Sequence, residues 1–186
     1  VELLGAAAPD GDLEVLSVAC AAVIASGLTH FTLDLGHAGI AAALLEGLPR
    51  ASWGGLVEAM ELKDTGELER RAALAGAQGG LLRALTALPS LQGEGQELWS
   101  RAESLLGATA AAQPVRELRS LWELVSAADM APRVMVDLGE VRHFAYYTGA
   151  MFQLLAEGPG EPVGSGGRYD GLLARFGAPR PSAGCG

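Results

Sequence analysis

Positive charge is scarce in this sequence, which has 13 Lys and Arg against 22 Asp and Glu and a formal net charge of −9. Lys63 is its single lysine. The shortage is not local, because residues 46–131 hold twelve acidic and eight basic residues and the remainder holds ten and five. Proteins that bind a phosphate backbone depend on clustered Lys and Arg. We therefore expect no nucleic-acid partner for either part of the chain.

Cysteine is also scarce, and no apolar run is long enough to span a membrane. Cys20 and Cys185 lie at opposite ends of the chain with no metal-like spacing, which predicts two reduced thiols and no metal site. The apolar run Val15–Leu28 is shorter than the roughly 20 residues of a spanning helix. Acidic residues precede it, where a signal peptide has basic ones. We expect a cytoplasmic protein with no membrane association and no cofactor.

Aromatic residues make up only 5% of a chain that is 49% hydrophobic, so its core must consist mainly of Ala, Leu and Val. Strand-like and helix-like patterns alternate near both ends, whereas apolar residues recur at helical spacing through the middle. The sequence predicts an α+β core of residues 1–47 and 131–186, interrupted by an all-helical insertion of residues 48–130. The chain begins with Val1, and we expect it to be an incomplete fragment of the full domain.

Local signals predict individual elements of the core. Asp10 and Asp12 are candidate N-caps of a helix that ends at Gly27. A strand over residues 31–35 and a helix over residues 38–48 follow, and His37 is expected to cap or pack at the turn between them. After Pro132 three closely spaced strands predict an antiparallel meander.

Two short motifs near the C-terminus carry most of the chemistry. Tyr hydroxyls both donate and accept hydrogen bonds, an Arg fork binds a carboxylate, and a glycine pair lets a ligand approach the backbone. Together with an acidic group at the N-terminus, they predict a site for an amino acid or a similar zwitterion. The candidate binding residues are Glu2, Arg142, Tyr146, Tyr147, Gly166, Gly167 and Tyr169, with Arg168 and Asp170 as supporting residues. No nucleophile–base arrangement is visible, so we assign no catalytic residue.

Each of these features has a structural alternative. A tyrosine pair alone is more often part of a core, and a glycine pair alone is usually a turn or a bulge. Arg168 and Asp170 alone could form a surface ion pair. The combination, in this order and on predicted strands, is more specific than any one part.

The motifs Tyr146–Phe152, Gly166–Leu172 and Pro181–Gly184 resemble those of the histidyl-tRNA synthetase family. The resemblance implies a class II aminoacyl-tRNA synthetase-like antiparallel sheet with flanking helices, and the helical block corresponds in position to that family's insertion domain. It also implies a histidine pocket formed by four of the candidates, with a further tyrosine beside them and the glycine pair in the floor. The four are Glu2, Arg142, Tyr147 and Tyr169.

Departures from the synthetase motifs point to a different role within the family. Ala145 stands where the synthetases have an acidic residue, and Gln153 stands where they usually have Glu. The segment Leu33–His37 is similar to the family's non-catalytic paralogue, the regulatory subunit of ATP phosphoribosyltransferase. This resemblance implies a subunit of histidine biosynthesis with no catalysis of its own. Its partners would be a short-form catalytic subunit, free histidine, and further copies bound through segments outside this chain.

Two alternatives stay open. The chain could come from an authentic histidyl-tRNA synthetase with a divergent motif, which would activate histidine with ATP and charge tRNA. The arginines that contact ATP in class II cores would then lie outside this chain. It could also be a structural remnant of either protein that binds nothing.

Overall fold

The chain alternates strands and helices at its two ends and is helical in its middle. A computed structural model describes residues 1–141, 146–158 and 160–186. In these residues the helices are α1 (Asp10–Ala25), α2 (Ala38–Leu45), α3 (Trp53–Glu61), α4 (Thr65–Leu74), α5 (Gly79–Ala87), α6 (Gly95–Leu106), α7 (Ala112–Ala128) and α8 (Asp170–Ala174). The strands are β1 (Glu2–Leu4), β2 (Thr32–His37), β3 (Gln92–Gly93), β4 (Arg133–Asp137), β5 (Ala150–Leu155), β6 (Gly164–Arg168) and β7 (Ser182–Cys185).

The chain divides into two units. The first consists of Val1–Gly36, Glu117–Val136 and Phe144–Gly186, and the second of His37–Arg116 and Asp137–His143. These units have other limits than the predicted core and insertion, because residues 37–47 and 137–141 fall in the second unit and residues 117–130 fall in the first. Leu121 of α7 lines a cavity with Val15 and Leu16 of α1, which explains its place in the first unit.

The first unit is built on a mixed sheet with the strand order β1-β7-β6-β5-β2-β4. β1 pairs antiparallel with β7, β7 with β6, and β6 with β5. β2 pairs parallel with β4, from Thr32 opposite Arg133 to Leu35 opposite Val136. The antiparallel part joins both ends of the chain, because β1 and β7 are neighbours.

The predicted meander is only partly correct. β5 and β6 are antiparallel neighbours, as expected. β4 is not part of a meander, because it pairs with β2, which lies between it and β5. A parallel pair needs a long crossover connection, and residues 38–132 supply one between β2 and β4. The alternating pattern of β4 identified a strand but carried no information about its partner.

Helix α1 packs against β6 and β7 through a stripe of small and aliphatic residues, namely Val15, Leu16, Ala19 and Cys20. This spacing of i, i+1, i+4 and i+5 places them on one face. The N-cap prediction is wrong: the N-cap residue is Pro9, with no side-chain capping bond, and Asp12 is buried. Within the described residues, no helix is long and apolar enough to cross a membrane.

The second unit contains α2 to α6 and the short strand β3. Its core is formed by large side chains with at most 1% of their surface exposed, among them Leu56, Met60, Leu68, Leu85 and Trp99. The expected role of His37 is confirmed, because it is the N-cap of α2 and its Nδ1 accepts a hydrogen bond of 3.1 Å from the backbone N–H of Gly39.

The single lysine forms an ion pair inside the second unit. Lys63 lies between α3 and α4, and its ammonium binds Oδ2 of Asp137 at the end of β4. Asp137 is 6% exposed, and its Oδ1 accepts a 2.9 Å bond from the N–H of Gly139. This pair therefore connects the turn after α3 to the end of β4.

Replacing this lysine by methionine should destabilise the protein. Lys63→Met leaves the buried carboxylate of Asp137 without its cation, and a partly exposed pair of this kind should cost about 1–3 kcal/mol in the free energy of unfolding. Arg70→Met is the matched control, because Arg70 is 58% exposed in its pair with Glu67 and this exposed pair should contribute less to stability. Urea denaturation measures both. Equal losses for the two variants would contradict a special role for Lys63.

Candidate amino-acid-binding site

Three strands place two glycines and one acidic residue in a single row across the sheet. Gly167 of β6 lies opposite Gly184 of β7, and Gly184 lies opposite Glu2 of β1. Because directly opposed residues point to the same face of a sheet, the two glycines form a floor without side chains. We call this pair the glycine floor.

The candidate polar side chains lie over the glycine floor. A Cβ placed on Gly184 would lie 2.7 Å from the carboxylate carbon of Glu2 and 2.9 Å from the hydroxyl oxygen of Tyr169. A Cβ on Gly167 would lie 2.7 Å from the ring of Tyr147. Glu2, Tyr147 and Tyr169 therefore converge on one face, and they can do so only because neither floor residue has a Cβ.

The three tyrosines form one cluster, and they are all the tyrosines of the chain. The ring centroids of Tyr146 and Tyr147 are 4.7 Å apart. Tyr146 meets the ring of Tyr169 edge to face, with centroids 5.9 Å apart and an interplanar angle of 79°. Such contacts are favourable ring geometries. Tyr169 is buried and the other two are half-buried, so the cluster combines an apolar body with polar tips.

Gly166 lies on the opposite face of the sheet from this site. Successive residues of a strand point to opposite faces, and a Cβ on Gly166 would meet the ring of Phe152 at 2.7 Å. Phe152 lines a cavity together with Val15 and Leu16 of α1. The glycine pair of the motif therefore has two functions, because Gly167 contributes to the floor and Gly166 admits a core side chain.

Arg168 also points toward α1, where it is only 4% exposed. Its Nε donates a 2.7 Å bond to Oδ1 of Asp12, and its Nη1 binds Oδ1 of Asp170 at 3.0 Å. Burial raises the pKa of Asp12 above its ordinary value, although the charge of Arg168 acts in the opposite direction. The fork of Arg168 thus binds carboxylates of the chain itself.

Other residues of interest lie outside this geometry. Arg142 and Ala145 fall outside the described residues. Gln153 lies on β5 opposite Ser165, within the sheet. Among the residues that the structure describes, no group of three or more His, Cys, Asp or Glu could hold a metal ion.

The positions of two residues near the candidate site were not predicted from the sequence. Gly184 belongs to a motif that was recognised, but its place in the glycine floor depends on the register of β6 and β7. Asp12 was predicted to be an N-cap, and its partner Arg168 is 156 residues away. Neither relation has a local sequence signal.

The sheet is mixed, with an antiparallel part formed by β1, β7, β6 and β5, and the chain has the class II aminoacyl-tRNA synthetase-like fold of the solved structures described below. This confirms the predicted fold class. The chain belongs to the histidyl-tRNA synthetase family, whose family model, described as "Histidyl-tRNA synthetase", matches residues 1–186.

Curated relatives carry the name of the regulatory paralogue, which confirms the predicted resemblance. The ATP phosphoribosyltransferase regulatory subunit of Moorella thermoacetica is 39% identical over 186 residues, which are 99% of this chain and 48% of the relative. The chain spans about half the length of the curated relatives it matches.

Solved structures with the same fold carry both names of the family. One from Bacillus halodurans, described as an ATP phosphoribosyltransferase regulatory subunit/histidyl-tRNA synthetase, has a TM-score of 0.86 at 28% identity and covers 99% of this chain and 49% of that one. A histidine–tRNA ligase subunit from Alicyclobacillus acidocaldarius has a TM-score of 0.80 at 28% identity, with coverages of 99% and 59%. The fold therefore does not distinguish the two activities.

Adding a methyl group to the glycine floor should destabilise the chain. In Gly167→Ala the new Cβ would lie 2.7 Å from the ring of Tyr147 and 2.8 Å from the backbone oxygen of Ala150, which cannot move aside. We expect a loss of about 1–3 kcal/mol in the free energy of unfolding. Gly186→Ala is the control, because nothing lies within 4 Å of its Cβ position. If urea denaturation gave the same stability for both variants, the close contact over Gly167 would be refuted.

Proposed function

We propose that this chain is part of a regulatory subunit of ATP phosphoribosyltransferase, the enzyme of the first step of histidine biosynthesis. In this proposal it binds free histidine, catalyses no reaction of its own, and is needed by a catalytic partner subunit for activity and for feedback inhibition. A cytoplasmic location belongs to the same proposal. Its support is the shared name of the curated relatives and the departures of the motifs from those of the synthetases.

The observation that carries the binding part of the proposal is the convergence of the Glu2 carboxylate and the Tyr169 hydroxyl over Gly184. Free histidine has an ammonium group and an imidazole, and both can donate hydrogen bonds to a carboxylate or a phenolic oxygen. The proposal assigns these groups to Glu2 and Tyr169. It assigns the carboxylate of the ligand to Arg142, since a guanidinium binds a carboxylate through two parallel bonds.

Feedback inhibition would follow from linkage. If histidine binds one assembly state more tightly than another, it raises the population of that state by its difference in affinity. The same coupling free energy then acts on the catalytic subunit, typically about 1–3 kcal/mol. No reaction has to occur at the histidine site.

Two observations favour the synthetase alternative, namely the tRNA-ligase description of a solved structure at 28% identity and the description of the family model. The net negative charge of the helical block argues against tRNA binding and therefore against the synthetase alternative. Residues 46–131 have twelve acidic and eight basic residues, and tRNA binding depends on clustered positive charge.

Titration with histidine tests the site directly. Glu2→Gln and Tyr169→Phe each remove one polar group over Gly184, and losing a hydrogen bond to a charged ligand should cost about 1.5–3 kcal/mol, or about ten- to a hundredfold in Kd. Glu14→Gln is the control, because Glu14 is exposed on α1. Isothermal titration calorimetry should show weaker binding for the first two variants only. Unchanged affinity in both would remove them from the site.

Histidine-dependent exchange of pyrophosphate into ATP separates the two activities. We expect the natural gene product to show no exchange above a sample without protein, while it supports the activity of a catalytic phosphoribosyltransferase subunit. Robust exchange would establish the synthetase and end the regulatory proposal.

A further inference from the structure

An ion group connects the parts of the candidate site from the far side of the sheet. It consists of the buried side chains of Arg168 and Asp12 and the carboxylate of Asp170, whose side chain is 45% exposed, and we call it the arginine cluster. We propose that Arg168 is a positioning residue, which does not touch the ligand but holds the tyrosines in their binding geometry. The proposal concerns the site of the proposed function and rests on it for the identity of the ligand.

Two of the three guanidinium nitrogens of Arg168 bind groups of the chain, and the third, Nη2, is buried with no hydrogen-bond partner among the described residues. Nε binds Asp12 at 2.7 Å, and Nη1 binds Asp170 at 3.0 Å and the backbone oxygen of Ala6 at 3.1 Å. Arg168 and Asp12 have side chains only 4% and 8% exposed. One side chain therefore connects β6, the start of α1 and the first residue of α8.

Arg168 also contacts the segment that follows Tyr146 and Tyr147. Its methylene groups pack where Gly149 has no side chain, 3.0–3.2 Å from the position of a Cβ there. Its backbone oxygen accepts a 2.8 Å bond from the N–H of Thr148. Thr148 Oγ1 in turn accepts a 2.9 Å bond from the N–H of Asp170. Thr148, which directly follows the tyrosine pair, is thus hydrogen-bonded to Arg168 and to Asp170, the two neighbours of Tyr169 in the chain.

The arginine cluster also determines where Tyr169 lies relative to β7. Oδ1 of Asp170 accepts a 2.7 Å bond from the N–H of Ser182. The N–H of Tyr169 donates a 2.7 Å bond to the oxygen of the same serine. Ser182 is two residues before Gly184, so these bonds align the Tyr169 hydroxyl with the glycine floor.

Stability alone does not account for such an ion group. Taking two charges out of water costs several kcal/mol per ion, by order of magnitude, and apolar residues of similar volume are often as stable. Burial raises the pKa of Asp12 despite the charge of Arg168, and Asp170 and Glu117 add to the rise. The planar guanidinium of arginine binds several oxygens in a fixed geometry that a lysine does not reproduce. It can therefore fix the relative positions of the groups that it binds.

Two variants separate positioning from stability. Arg168→Lys keeps the charge but removes the fork. The double variant Asp12→Leu with Arg168→Met replaces the ion pair by apolar side chains and should unfold at about the same denaturant concentration as the original chain. Arg175→Lys is the matched control, because Arg175 is exposed in the same segment.

Fluorine NMR of the fluorotyrosine-labelled chain gives a readout that needs no ligand. The chain has three tyrosines, all in the cluster, so three resonances report on the site alone. We expect changed shifts or broadening in Arg168→Lys and in the double variant, and an unchanged spectrum in Arg175→Lys. Histidine affinity should fall at least about tenfold in the first two.

Each outcome decides between positioning and other roles. Unchanged tyrosine resonances in folded Arg168→Lys and in the folded double variant would overturn the proposal. Loss of folding in both would also overturn it, since Arg168 would then serve stability only. If the original chain binds no histidine but the resonances still change, the proposed function fails while the positioning role of Arg168 stands.

Discussion

The absence of side chains at Gly167 and Gly184 is the constraint on which the candidate site depends. These glycines face each other on neighbouring strands, and the ring of Tyr147, the hydroxyl of Tyr169 and the carboxylate of Glu2 occupy the space above them. Any larger residue would separate these groups or displace the strand. Glycine normally weakens a strand, so its use here at two opposed positions favours a function that depends on close approach.

The two faces of the sheet have different tasks. One presents the tyrosines and Glu2, and the other packs on α1 and holds the ion group of Arg168. Strand alternation assigns neighbouring residues of a single motif to both tasks, because Gly167 and Tyr169 face the site while Arg168 faces the helix. In the motif Gly166–Gly171, residues of the candidate site therefore alternate with residues that pack on the helix side of the sheet.

Local patterns predicted much of the fold, and they identified some of the residues that the fold brings together in the candidate site. The helices, most strands and the capping role of His37 follow from periodicity and turn residues. The parallel pairing of β2 with β4 could not be predicted, since a strand pattern does not identify its partner. Arg168 and Asp12 are likewise far apart in sequence, and only the fold brings them together. Gly184 joins the candidate site through the register of β6 and β7, so its motif could be recognised from the sequence but its position opposite Gly167 could not.

The central claim is that one free amino acid binds over the glycine floor. A crystal structure of the protein with L-histidine tests it most directly. We expect the ligand beside the side chains that cover the glycine floor, with its ammonium or imidazole within hydrogen-bonding distance of Glu2 and Tyr169. Histidine bound elsewhere, or no bound histidine at saturating concentration, would contradict it.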